Sequence, residues 1–249
     1  MRIALAPSGQ IGLRAGRVIL ADGRVSAVGA LGTDVHSRDA RVEPIDSPEG
    51  WDLLVSDAPA DDARLAAAIA AGVPIISSLS DPQAFPDAAH FVFGASIERG
   101  LPASLAVLAM DQLDVVTGVT TAITTSGKPL ARGTAVSFPG SIGPLWAEVS
   151  ASPASWPKDW RFLNAPYDGA LAGVSVSVEG DVDGSSRVIT QAIVDDPRFL
   201  GAIALAAAAL MLIDEARPEG GNEVHRFAER YIEACTVAGM GVASFSPAS

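Results

Sequence analysis

Short apolar runs alternate with amphipathic stretches through the first 110 residues. Arg2 to Ala6 is an apolar run closed by Pro7-Ser8-Gly9, which is how a buried strand ends. From Ile11 to Ala21 the apolar positions Leu13, Val18, Ile19 and Leu20 predict a helix, stopped by Asp22-Gly23. Strands are predicted over Val25 to Leu31, Val42 to Ile45 and Asp52 to Val55, the last ending at Ser56-Asp57-Ala58-Pro59. A helix over Asp61 to Ala71 stops at Gly72, and strands follow at Val73 to Leu79 and Phe91 to Phe93. Leu101 to Leu113 closes the series as a helix with Pro102 in its first turn, where proline is tolerated. Strands joined by helices of this length indicate parallel βαβ units with right-handed crossovers.

The pattern then changes. Val115 to Thr125, Thr134 to Phe138, Val174 to Glu179 and Ser186 to Val194 are strand-like, and Asp183-Gly184 is a hairpin turn signal. These predict a mostly antiparallel sheet in a second, α+β domain. The expected division is residues 1–114, a parallel sheet with helices on both faces, and residues 115–249. Two helices close the chain, Phe199 to Glu215 after an Asp195-Asp196-Pro197 start, and Glu223 to Ala238 after a Gly220-Gly221 break. Ser150 to Asp168 carries Trp156, Trp160 and Tyr167 among prolines. It reads as a lid over a cleft, with a hydrophobic plug or an oligomer contact as the other reading.

The stretch that carries chemistry is Ala6-Pro7-Ser8-Gly9-Gln10-Ile11-Gly12, placed after the first strand and opening the first helix. A dinucleotide pyrophosphate needs a tight turn, close backbone approach and a helix N-terminus aimed at it. Gly9 can supply the approach and Gly12 close helix-to-strand packing. The amides around Gly9 to Ile11 can donate to phosphate, and Ser8 or Gln10 can add a side-chain bond. The pattern departs from the dinucleotide fingerprint at Ala6, where glycine is expected, and at Pro7, which has no N–H. Beyond the second strand, Asp34, His36, Ser37 and Arg38 offer both an acid for a ribose hydroxyl and a base for a 2′-phosphate. Ser37 with Arg38 tilts the choice between NAD and NADP toward NADP, against a solvated loop as the alternative.

The run Ile3 to Gly12 resembles the start of the saccharopine-dehydrogenase-like group of NAD(P)-binding Rossmann oxidoreductases. So does Asp52-Leu53-Leu54-Val55-Ser56-Asp57-Ala58-Pro59, followed by an Ala-rich helix and Gly72-Val73-Pro74-Ile75-Ile76-Ser77-Ser78-Leu79. Phe93-Gly94-Ala95 and Ser137-Phe138-Pro139-Gly140-Ser141-Ile142-Gly143-Pro144 are similar in style, so the likeness covers about the first 145 residues. The two-domain layout also resembles small reductases such as dihydrodipicolinate reductase, although their His-rich substrate motif is missing. The resemblance implies a nicotinamide cofactor over the carboxyl ends of the strands, with Ala58 and Pro59 beside the phosphate loop, and a substrate facing the second domain. It implies an oxidoreductase of a small carbonyl, imine or amino-acid-like substrate. The altered loop keeps open a non-catalytic nucleotide sensor or assembly protein, or a scaffold with no ligand.

Charge and composition limit the partners. Seventeen basic against 29 acidic residues give a formal charge of −12, which repels nucleic acid and anionic lipid. The most apolar stretch, Phe199 to Ile213, spans 15 residues, and a membrane helix needs roughly 20. The expected partner is a small-molecule substrate, with neither nucleic acid nor membrane, and a homodimer stays open. The single cysteine, Cys235, fits a reducing, cytoplasmic setting and reads as an inert helix-interior thiol. His36, His90 and His225 do not pair at metal-ligand spacing, so no metal is expected. His225 falls among Glu223, Arg226, Glu229 and Arg230 on what reads as a solvated helix face. For a proton donor and an anion clamp the candidates are Lys128 and Tyr167, with Arg132, Lys158, Arg161 and Asp168 in the same two loops, each against an exposed, solvated side chain as the alternative.

Overall fold

A computed structural model describes residues 1–33, 37–79, 89–125, 128–129, 135–138, 145–150, 172–215 and 217–245. The first half runs β1 (Arg2–Ala6), α1 (Gln10–Ala21), β2 (Ala27–Leu31), β3 (Val42–Ile45), β4 (Leu53–Ser56), α2 (Ala63–Ala70), β5 (Ile75–Ser77), β6 (His90–Phe93) and α3 (Gly100–Met110). The second runs β7 (Val115–Thr125), β8 (Lys128–Pro129), β9 (Ala135–Phe138), β10 (Leu145–Ser150), β11 (Ala172–Val182) and β12 (Ser185–Asp195). It ends with α4 (Pro197–Leu210), β13 (Gly220–Glu223), a 3-10 turn at Val224–Phe227, α5 (Ala228–Val237) and β14 (Ala243–Phe245).

The first sheet has the order β13-β6-β5-β4-β1-β2-β3, and its pairings are all parallel. Chain order leads from β1 outward to β3, then jumps back to β4 and proceeds the other way. That reversal opens a crevice at the carboxyl ends of β1 and β4, where ligands of such sheets bind. Helices cover both faces. Ile3, Leu5, Leu53, Val55 and Ile76 share one core with α1, α3, α4 and α5. Ala4, Leu54, Ile75, Phe91 and Phe93 share the other with Leu65 and Ala68 of α2. Near-continuous burial along β1 and β4 is what a sheet sandwiched between helices requires.

The second sheet has the order β14-β12-β11-β7-β10-β9, with β8 on β7, and among the described residues only the β10–β7 pairing is parallel. The predicted hairpin joins β11 to β12. Asp183 and Gly184 both have positive φ, 52° and 75°, as a two-residue primed turn demands. Val119, Val174, Val176, Val178, Ile189 and Ile193 line its buried face, and α3 and α4 pack on this sheet. Asp196 caps α4 by accepting from the amides of Arg198 and Phe199, with Pro197 in the first turn.

The C-terminal segment departs from expectation. Gly220-Gly221, read as a break, begins β13, which pairs with β6 and extends the first sheet. The helix expected to start at Glu223 starts only at Ala228, after a 3-10 turn. The segment assigned to the second unit therefore gives the first sheet an edge strand, and α4 packs on α1. Among the described residues no helix is long and apolar enough to cross a membrane.

Candidate functional site

The phosphate-loop residues meet at the switch point. Ser56 Oγ donates to the Ala6 carbonyl (3.0 Å) and accepts from the Ala58 amide (3.0 Å), tying the end of β4 to the end of β1. Ala6 and Ala58 are buried at this seam, while Ser8, Gly9, Gln10 and Pro59 are exposed. Nothing lies within 4 Å of where a Gly9 side chain would begin, so the approach to the loop is open there. The amides of Gly9, which caps α1, and of Gln10 and Ile11 in its first turn make no intramolecular hydrogen bond among the described residues. Such first-turn donors, aligned with the helix dipole, favour an anion. The Ile11 side chain turns away from the loop to pack over Gly201 of α4.

The amides on either side of these three are already engaged. Asp57, directly after β4, accepts from the Ser8 amide at 2.5 Å and from the Gly12 amide at 2.9 Å, one through each carboxylate oxygen. Ser8 Oγ donates to the Asp57 carbonyl (2.9 Å) and so serves the protein itself. A Cβ on Gly12 would lie 2.6 Å from Asp57 Oδ1 and 2.9 Å from Pro7 Cα. Gly12 thus makes room for the carboxylate and the Pro7 turn, where helix-to-strand packing was expected of it. That packing role falls to Gly16, whose Cβ would meet Leu5 at 2.5 Å.

Beyond β2, Ser37 and Arg38 are exposed, and Ser37 Oγ accepts from the Asp39 amide (3.1 Å). The guanidinium that reaches the end of β2 belongs to Arg64 on α2. It donates to the Leu31 carbonyl (3.2 Å) and the Pro7 carbonyl (3.1 Å) while forking onto Asp62 (2.9 and 2.7 Å). The Arg64 hydrogen bonds hold the Asp62 carboxyl below its ordinary range. Lys128 lies in β8, in register with Thr125 of β7. Tyr167, Arg132, Lys158, Arg161, Asp168, the Trp-rich lid and the Gly140-Ser141-Ile142-Gly143 turn lie outside the described residues, as do Asp34 and His36.

A second polar cluster was not foreseen. Glu223, the last residue of β13, lies in register with Phe93 at the end of β6. Its carboxylate accepts from Arg99, which precedes α3, and from His225 Nδ1 at 2.8 Å. His225 is only 5% exposed, which corrects its reading as part of a solvated face. The 3-10 turn rotates it inward against α3. Burial pushes the Glu223 carboxyl up, but the His225 bond and the Arg99 charge outweigh burial and leave it lowered. With Nδ1 donating to Glu223, His225 Nε2 has no hydrogen-bond partner among the described residues. His90 has a structural bond to the Pro218 carbonyl through Nδ1 (3.0 Å). Cys235 is fully buried, and burial raises its thiol well above the usual range, so it is no nucleophile.

No family model and no curated protein matches the chain. Solved structures do match it in fold. A meso-DAP dehydrogenase variant from Clostridium tetani, solved with DAP, is 14% identical with a TM-score of 0.57 over 93% of this chain and 95% of that one. The homospermidine synthase from Legionella pneumophila, solved with NAD, is 8% identical with a TM-score of 0.59, covering 98% and 91%. An engineered D-amino acid dehydrogenase bound to NADP+ is 14% identical with a TM-score of 0.55, covering 90% and 93%. The chain thus shares with these structures a two-domain fold, a parallel sheet with helices on both faces joined to a mostly antiparallel sheet.

Proposed function

We propose that the chain is an NAD(P)-dependent oxidoreductase acting on a small carbonyl, imine or amino-acid-like substrate. One observation carries the proposal: an open loop at the β1–β4 switch point whose Gly9, Gln10 and Ile11 amides meet no protein acceptor among the described residues. That is where a Rossmann sheet receives a pyrophosphate. The fold shared with structures that hold NADP+ or NAD supports this reading. The saccharopine-dehydrogenase-like motifs quoted above and the preference for NADP belong to the same proposal. In it Ala6 to Gly12 hold the pyrophosphate, Ala58 and Pro59 wall the cofactor, Ser37 and Arg38 meet the ribose, and Lys128 and Tyr167 supply protons.

A second reading, a nucleotide sensor or assembly protein that performs no hydride transfer, is favoured by Asp57 on the Ser8 and Gly12 amides. Titration with NADPH and NADH, read by tryptophan quenching and energy transfer to the nicotinamide, tests the shared element. Saturable binding is expected. A substrate panel read by nicotinamide absorbance then separates the two, since only the enzyme gives substrate-dependent turnover. Absence of binding by both nucleotides in calorimetry would overturn both.

A further inference from the structure

We propose that the Asp57 carboxylate is an intramolecular stand-in for phosphate, which a dinucleotide must displace from the Ser8 and Gly12 amides to bind. The inference rests on the nucleotide-binding reading above and assigns that site its regulation.

Asp57 places two oxygens of one anionic group on two backbone amides of a glycine-bearing turn. Two non-bridging phosphate oxygens would make the same contacts, and charge-assisted bonds of this kind are the strong ones. The residue is anchored through its backbone, because Ser8 Oγ holds its carbonyl and Ser56 Oγ holds the next amide. The carboxylate can therefore leave by side-chain rotation without disturbing β4. Gly12 fits this role, since any side chain there would strike Asp57 Oδ1 and Pro7.

A pyrophosphate cannot share the loop with the carboxylate. Like charges a few ångströms apart in a half-buried crevice repel strongly, and both compete for the same donors. A partner for the displaced group is at hand in Arg64, which bonds the Pro7 carbonyl of the same turn. The bonds to Asp62 raise the Arg64 guanidinium first, and the Asp57 charge adds to them, so the two groups already attract. The loop thus has two arrangements, with Asp57 on the amides when the site is empty and Asp57 toward Arg64 when phosphate is bound. Nucleotide affinity is lowered by the free energy needed to pass from the first to the second.

The test compares NADPH binding by the full-length protein and its Asp57→Ala and Asp57→Asn variants. Asp57→Ala is expected to bind about tenfold tighter or more, a factor corresponding to about 1.4 kcal/mol. Asp57→Asn, which keeps the shape and loses the charge, is expected to fall between the two. It also serves where the alanine variant does not fold. Thermal melting gives a second readout. Without ligand the Asp57→Ala protein should melt below the native one, and millimolar inorganic phosphate should restore more of its stability than it adds to the native protein. Equal or weaker NADPH binding by both variants overturns the stand-in and leaves nucleotide binding intact. Absence of NADPH binding by all three proteins, each folded by circular dichroism, overturns nucleotide binding and the stand-in together.

Discussion

Two polar clusters occupy the carboxyl edge of the first sheet, and they are assembled in opposite ways. At β1 and β4 the participants are backbone amides of one short loop and a carboxylate 45 residues from Gly12, all at the ends of neighbouring parallel strands. At β6 and β13 they are side chains of Arg99 and Glu223, 124 residues apart, brought together when the C-terminal segment returns as an edge strand. The first cluster is open to solvent and leaves donors unused. In the second, which is half-buried, the Glu223 carboxylate is already held by Arg99 and His225. The difference separates a place built to receive an anion from one whose charges already neutralise each other, and it predicts that damage to each will be read by a different measurement.

The largest effect should come from Gly12→Val. Its Cβ would overlap Asp57 Oδ1 and the Pro7 backbone, so the turn must open and its amides lose their aim. NADPH binding should become undetectable in the titration, with a stability loss of about 1–3 kcal/mol, the usual cost of overpacking. Gly100→Ala is the counterpart at the other cluster. A Cβ there would run into the Gly94 carbonyl and lie 2.7 Å from Val224, so the loop preceding α3 must shift. Denaturant unfolding should show a loss near the top of the same range, about 3 kcal/mol, while nucleotide affinity changes little. If Gly100→Ala abolished binding as completely as Gly12→Val, the two clusters would be one site.

Glu223→Gln sharpens the same contrast through pH. A buried ion pair broken on one side costs about 3–5 kcal/mol, but Arg99 and Glu223 keep 35% and 21% exposure. Solvent screening brings the expected loss near neutral pH to about 1–2 kcal/mol. The sign with pH follows from the lowered Glu223 carboxyl. A depressed carboxyl stabilises the fold above its ordinary pKa, about 4.3, and that contribution is lost as pH falls through the lowered value. The melting difference between native protein and variant should therefore be full at pH 6 and shrink below about pH 4. A difference independent of pH over that span would remove the ionised Glu223 as its cause.

These two clusters also show what the sequence allowed to be read. The loop was legible because its parts are contiguous and follow a strand whose apolar run is unmistakable, Arg2 to Ala6. The hairpin at Asp183-Gly184 was legible for the same reason, since positive φ at two successive positions leaves a local signature. Asp57 lay in view within a quoted motif, yet its role depends on β4 lying beside β1, which is a fact of topology. The knowledge that strands β1 and β4 flank the switch point would have been enough to place it. His225 could not be found this way. Its neighbours Glu223, Arg226, Glu229 and Arg230 have the composition of a solvated helix, and it is the 3-10 turn following β13 that buries it. Strand β13 itself, Gly-Gly-Asn-Glu, has no apolar alternation, because an edge strand of four residues needs little of its own burial.

The smallest effect should belong to Arg38. It stands exposed beyond β2, whereas the guanidinium that reaches the end of β2 is that of Arg64. An exposed arginine contributes about 0.2–1 kcal/mol to an ion pair, because water screens the charge and the long side chain must be held still. Arg38→Ala should therefore weaken NADPH binding by about 1.4- to fivefold and leave NADH unchanged. Arg64→Ala should act on both nucleotides alike, because it removes the bonds to Pro7 and Leu31 that shape the loop itself. Calorimetric titration of both variants with both nucleotides distinguishes the roles. A loss confined to NADPH in Arg64→Ala, with Arg38→Ala behaving as the native protein, would transfer the recognition of the 2′-phosphate from the exposed arginine to the one already bridging the strand ends.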